Sequence, residues 1–212
     1  MPGVEHIEAI KGLNPKTLID VGANKGQFSL VARYLFPDIQ IHAFEPLERE
    51  RRLLGSVVRP PIQIHSAALG ATPGKTNFYV TSRADSSSLL RPGAGQSAAY
   101  KVSLASTTTV EVTRLRDVLD LSTLPRPILM KIDVQGGELE VLKGVGNRLD
   151  QLEWIYCEMS LVHLYEGQPL ASEVISYLSD FGFELRGVFN QSHTTQFGPT
   201  QADFLLLRSI RK

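Results

Sequence analysis

Thr17-Leu-Ile-Asp-Val-Gly-Ala-Asn-Lys-Gly-Gln-Phe28 reads as a buried strand running into a glycine-rich turn and then a helix. Leu18, Ile19 and Val21 are apolar around a single acid, Asp20, and Gly22 and Gly26 bracket the turn. Phe28, Val31, Ala32 and Leu35 then recur at i, i+3, i+4 and i+7, the period of a helix with one buried face. This order aims a helix N-terminus, with its unpaired N–H groups, at whatever lies over the turn.

A dinucleotide fingerprint, G-x-G-x-x-G, lets the backbone press against a pyrophosphate. Here the glycines fall as G-x-x-x-G, with Asn24 and Gln27 where the second and third would stand, so a pyrophosphate would meet side chains. An adenosyl ligand without phosphates tolerates that spacing. S-adenosylmethionine is one, offering a ribose, an adenine and a zwitterionic amino-acid tail. The next strand supports an adenosyl ligand: Ile39-Gln-Ile-His-Ala-Phe-Glu45-Pro46 alternates and reaches an acid 19 residues after Gly26. A nucleotide-binding βαβ unit places a ribose-binding carboxylate there. The plainer alternative makes Gly22 and Gly26 ordinary turn residues and Glu45 a solvated strand end.

With 212 residues the chain is long enough for a full core, and 1–212 reads as one domain. Hydrophobic residues make up 42% and charged residues 21%, an ordinary globular composition. Lys+Arg and Asp+Glu number 22 each, so net charge gives no general case for nucleic acid or an anionic membrane, and neither is expected as a partner. Cys157 stands alone, which rules out an intrachain disulfide and a cysteine metal cluster. The opening Met1-Pro-Gly-Val-Glu-His6 lacks a basic n-region and an apolar h-region, and no apolar run approaches the ~18 residues of a membrane span. A cytoplasmic protein is the expectation.

In order along the chain, residues 1–14 form a leading segment whose 4–13 reads as a helix with Val4, Ile7 and Ile10 on one stripe. Pro46 to Leu54 is helical, its charges a solvated face. Ile62-Gln-Ile-His-Ser-Ala-Ala68 is a third strand, and small residues at its end, Ser66 and Ala67, leave room for an adenine ring or simply permit close packing. Lys75 to Thr81 alternates as an edge strand. Residues 82–108 show little periodicity and read as a mobile cover loop over the substrate side. Strands follow at Thr109–Thr113 and Ile128–Val134, the second turning through Gly136-Gly137 into a helix, Glu138 to Lys143, closed by Gly144. Leu152 to Glu158 is a strand ending in an acid, Leu170 to Phe181 a helix, and Phe183–Phe189 and Asp203–Leu207 two closing strands. Strands alternating with helices imply an α/β fold with a mostly parallel sheet and helices on both faces. Ligands of such sheets lie outside the carboxyl ends of the strands, where Gly22, Glu45, Ala67, Asp133 and Glu158 are all expected.

Ile19-Asp-Val-Gly-Ala-Asn-Lys-Gly-Gln-Phe-Ser29, Phe44-Glu-Pro46, Ala67-Ala-Leu-Gly70, Ser87-Ser-Leu89 and Lys131-Ile-Asp-Val-Gln-Gly-Gly-Glu-Leu-Glu-Val-Leu-Lys-Gly144 resemble the FkbM-type methyltransferases. The resemblance covers roughly residues 15 to 190. It implies a Rossmann-like class I methyltransferase fold with a seven-stranded sheet, S-adenosylmethionine as cofactor, and O-methylation of a sugar or natural-product-like acceptor, a small molecule or glycan. It further implies that Asp20, Gly22, Asn24 and Gly26 hold the methionine portion, Glu45 and Pro46 the ribose, and Ser66 and Ala67 the adenine, with Asp133 facing the methyl group and the acceptor. The family usually shows Asp-Val-Glu-Gly where this chain has Asp133-Val-Gln135-Gly136, and Gln135 cannot supply a charge.

An acceptor hydroxyl gains from losing its proton to a positioned carboxylate or histidine. Asp133, Glu138, Glu158 and His163 are the candidates. Asp133 and Glu138 also suit helix capping and the helix dipole, and His163 a solvated loop. No metal ligand set is expected from the spacing of His, Asp and Glu. An NAD-dependent oxidoreductase and a non-catalytic adenosyl-binding module stand as alternatives. The first needs a glycine at Asn24; the second is favoured by Gln135.

Overall fold

A computed structural model describes residues 3–209; Met1 and Pro2 of the leading segment, and the last three residues of the expected domain, lie outside the described residues. A 3-10 turn, Val4–His6, leads into a single helical turn, α1 (Ile7–Ile10). The expected stripe is only partly buried: Val4 is exposed, and Ala9 and Ile10 carry the packing. Strand β1 (Thr17–Val21) is buried at all five residues, as a central parallel strand with helices on both faces must be. Gly26, at φ 85, turns the chain into α2 (Gln27–Leu35). Strand β2 (Gln40–Phe44), helix α3 (Glu48–Val57) and strand β3 (Ile62–His65) complete the first half.

The third strand stops short of its expected end. The chain leaves the large sheet at Ser66-Ala67, and β4 (Ala68–Leu69) joins a separate three-stranded sheet with β5 (Gly74–Thr81) and β6 (Leu104–Thr113), in the order β4-β6-β5. Residues 82–108 are likewise more ordered than the lack of periodicity suggests. They hold a 3-10 turn, Ala84–Ser86, helix α4 (Ala94–Tyr100) and the start of β6. Small and polar residues dominate the stretch, so its order comes from contacts outside it, such as the Gly93 N–H donating to the Leu164 carbonyl at 2.8 Å.

After the short helix α5 (Leu115–Val118), strand β7 (Ile128–Ile132) is again fully buried and is followed by α6 (Glu138–Val145). Gly144 does not close that helix. It lies within it, where an added β-carbon would stand 2.3 Å from the Gly70 carbonyl oxygen, so its role is to let α6 press against the small sheet. Strand β8 (Trp154–Ser160), helix α7 (Ala171–Asp180) and the long hairpin β9 (Phe183–Thr194) and β10 (Gly198–Arg208) finish the chain.

The large sheet runs β3-β2-β1-β7-β8-β10-β9, parallel from β3 to β8, with β10 and β9 antiparallel. This is the expected seven-stranded, mostly parallel architecture. One apolar cluster packs Phe28, Val31, Ala32 and Leu54 on one side; the other packs Val141, Leu142, Val174 and Leu178. Register then places the site: Val21 pairs with Phe44 and with Ile132, and Ile132 with Cys157. Gly22, Glu45, Asp133 and Glu158, each one residue further on, therefore stand in a row. Glu158 is nevertheless not a strand end, because β8 runs on to Ser160 against β10.

Candidate active site

A cleft opens where that row meets the small sheet. Gly22, Asn24, Glu45, Pro46 and Asp133 line it, together with Ala68, Leu69, Phe78, Leu89 and Gln135. Five acids line it, Glu45, Glu50, Asp85, Asp133 and Glu140, and the lining contains no Lys, Arg or His.

Glu45 is buried, accepting at Oε2 from the Asn24 N–H at 2.9 Å and at Oε1 from the Leu47 N–H at 2.8 Å. Burial pushes its carboxyl up to about 7 against the pull of those two donors, with Glu50 adding to the rise. Each oxygen keeps a free lone pair. The Asn24 side-chain oxygen is buried without a partner, at φ 47 in the same turn. A buried acceptor of this kind calls for a donor from a ligand.

Asp20 does not reach the cleft. It is fully buried, accepts from the Ser29 hydroxyl at 2.6 Å and lies 3.3 Å from Lys131 Nζ. Lys131 also stands 3.6 Å from Asp133 and donates to the Gly22 carbonyl at 3.1 Å. Burial opposes its charge, but Asp20 and Asp133 overcome that and hold the ammonium above its usual range. Lys131 thus fastens the glycine turn to the tip of β7. Gly26 also lies off the cleft, in contact with Leu54 of α3.

Ser66 and Ala67 do not line the cleft, because the chain swings outward between the two sheets there; the small apolar wall is supplied by Ala68 and Leu69, with Phe78 from β5. Glu138 is buried in the first turn of α6, accepting from the Gly136 N–H at 2.8 Å, which is the capping role; burial pushes its carboxyl up to about 7. Glu158 lies behind Gln135, and burial, then the nearby Asp133, Asp203 and Glu138, push its carboxyl well above the usual range. His163 lines a neighbouring groove that shares Leu90, Gly137 and Glu140 with the cleft, and its Nδ1 lies 3.1 Å from the Gln168 carbonyl oxygen. Of the four candidate bases, Asp133 alone faces the cleft.

Lys131, Tyr165 and Gln96 escape sequence reasoning. Lys131 reads as an alternation defect inside an apolar strand, and Tyr165 and Gln96 lie 69 residues apart before the fold joins them at 3.0 Å. Among the described residues, no three His, Cys, Asp or Glu form a group that could hold a metal ion, and no helix is long and apolar enough to cross a membrane.

A mostly parallel sheet of this order, with a buried acid at the end of the second strand and an acid-lined cleft over a glycine turn, defines a class I methyltransferase using S-adenosylmethionine. The methyltransferase FkbM domain matches residues 20–185, and the chain belongs to that family. Methyltransferase sdnD of Sordaria araneosa is 28% identical over 194 residues, covering 79% of this chain and 73% of that protein. The 2-O-methyltransferase NoeI of Sinorhizobium fredii is 27% identical over 175 residues, covering 77% and 71%. The crystal structure of magnesium protoporphyrin IX methyltransferase from Synechocystis, with the cofactor bound, superposes with a TM-score of 0.50 at 12% identity, covering 96% and 74%.

Proposed function

We propose that the chain methylates a hydroxyl oxygen of a sugar or a natural-product-like small molecule, with Asp133 as the base. The observation that carries this is the cleft lining: five carboxylates and no cation. Such a lining suits a sulfonium, discriminates against the phosphates of NAD, and leaves one acid, Asp133, beside the acceptor. Bound S-adenosylmethionine supplies an electrophilic methyl group on a good, neutral leaving group.

Glu45 would hold the ribose, the Gly22–Asn24 turn the methionine portion, and Ala68, Leu69 and Phe78 the adenine. Asp133 would take the proton of the acceptor hydroxyl as its oxygen is methylated. Lys131 holds that carboxylate in place. The segment 84–90, through Ala84, Asp85, Ser87, Leu89 and Leu90, walls the cleft and excludes water. A relative named as a 2-O-methyltransferase agrees with oxygen as the acceptor. Incubation with methyl-labelled cofactor and a panel of hydroxylated sugars and phenols tests the reading. A methyl ether should form, and Asp133→Asn should lower kcat by ~100-fold or more with cofactor affinity retained. A methylated nitrogen or carbon, or an Asp133→Asn enzyme as fast as wild type, overturns it.

A further inference from the structure

Gln135 is buried and held at φ 59, a left-handed backbone conformation uncommon for a residue with a side chain. Its amide nitrogen donates to Asp133 Oδ1 at 2.8 Å and to Glu158 Oε2 at 2.5 Å. Its oxygen lies 3.0 Å from the Tyr165 hydroxyl, whose single proton also has the Ser86 carbonyl oxygen as an acceptor at 2.8 Å. Tyr165 is buried too, and takes a hydrogen bond from Gln96 at 3.0 Å. Turning the amide over would aim its oxygen at the Asp133 carboxylate.

Two acid oxygens converging on one point supply two of the ~6–8 oxygen ligands that a hard cation such as calcium gathers. An amide nitrogen fills that seat. The difference is chemical: two N–H dipoles hold the carboxylates together with no net charge, whereas a divalent cation would be the largest local charge and would suppress the basicity of Asp133. We propose that Gln135 is a positioning residue that takes the place of a divalent cation between Asp133 and Glu158, so that the site holds both carboxylates without metal and a carboxylate at position 135 would create a divalent-cation site. The inference rests on the reading of Asp133 given above. Its test reads metal binding alone, so a failure of the methyl-transfer reading would show separately.

The test is titration of the full, EDTA-treated chain with Mn2+, followed by calorimetry and by the electron paramagnetic resonance signal of the free ion. Wild type should show no saturable binding that depends on Asp133, and its affinity for S-adenosylhomocysteine should be the same with EDTA or Mn2+. Gln135→Glu should bind one Mn2+ with a Kd on the order of 10⁻⁴ M or below, lost when Asp133→Asn is added. Where circular dichroism shows Gln135→Glu unfolded, Gln135→Ala, which empties the seat and keeps both acids, should gain Mn2+ binding over wild type. Asp133-dependent Mn2+ binding by wild type, or a folded variant that gains none, overturns the proposal.

Discussion

A β-carbon on Gly22 would stand 1.9 Å from the carbonyl oxygen of Asp133. The glycine turn and the tip of β7 touch through bare backbone, and the contact is stitched by the Asp133 N–H to Val21 O at 3.0 Å and by Lys131 to Gly22 O. Gly22 also has φ 74. Gly22→Ala therefore meets both a clash and a strained backbone. It should destabilise the chain by about 2 kcal/mol or more and weaken cofactor binding. Gly12, with no atom within 4 Å of an added β-carbon, is the control, and Gly12→Ala should leave the urea midpoint nearly unchanged.

Cofactor affinity should depend on pH through Glu45. Its carboxyl is raised to about 7 by burial, and under the proposed function the ionised form would accept from both ribose hydroxyls. Binding should therefore tighten as pH rises through 7 and weaken below it. Glu45→Gln should bind less tightly and lose the pH dependence, measured as the Kd of S-adenosylhomocysteine from pH 5.5 to 8.5.

Stability should slope the other way. Glu138 is raised from 4.5 to about 7, so between those values the folded chain holds a proton that the unfolded chain has lost. Stability is then greatest below 4.5 and falls as pH rises through the folded value. Glu138→Gln removes the ionisation, and at pH 8 it should be more stable than wild type by on the order of 1 to 3 kcal/mol, with the gap closing near pH 5 in urea titrations.

Lys131→Met should be among the most damaging single changes outside the apolar core. It leaves Asp20 buried with the Ser29 hydroxyl as its remaining side-chain donor, and breaking a buried pair on one side costs about 3 kcal/mol or more. Asp20→Asn added to Lys131→Met should recover part of the loss, because the unpaired charge is then gone. Thermal unfolding of the two variants checks both statements.

The central sheet was legible because its signals are local. Leu18 to Val21 and Ile128 to Ile132 are unbroken apolar runs apart from Asp20 and Lys131, and each is followed by a glycine that turns the chain into a helix. Glu45 was legible by its distance from Gly26. What stayed hidden depends on contacts between distant segments. The exit of the chain at Ser66-Ala67 follows from β4 pairing with β6, more than 40 residues later, and no residue type at that point marks it. The order of 84–100 comes from the loop around Leu164 and Tyr165. Glu158 carries the strand-end pattern, yet β10 extends β8 past it.

The most direct measurement is calorimetric titration of the full chain with S-adenosylmethionine and, separately, with NAD, for wild type and Glu45→Ala. An acid-lined cleft with a ribose carboxylate should bind the sulfonium saturably, lose ~10-fold or more of that affinity in Glu45→Ala, and bind NAD far more weakly. Equal or tighter binding of NAD, or sulfonium binding that ignores the loss of Glu45, would contradict it.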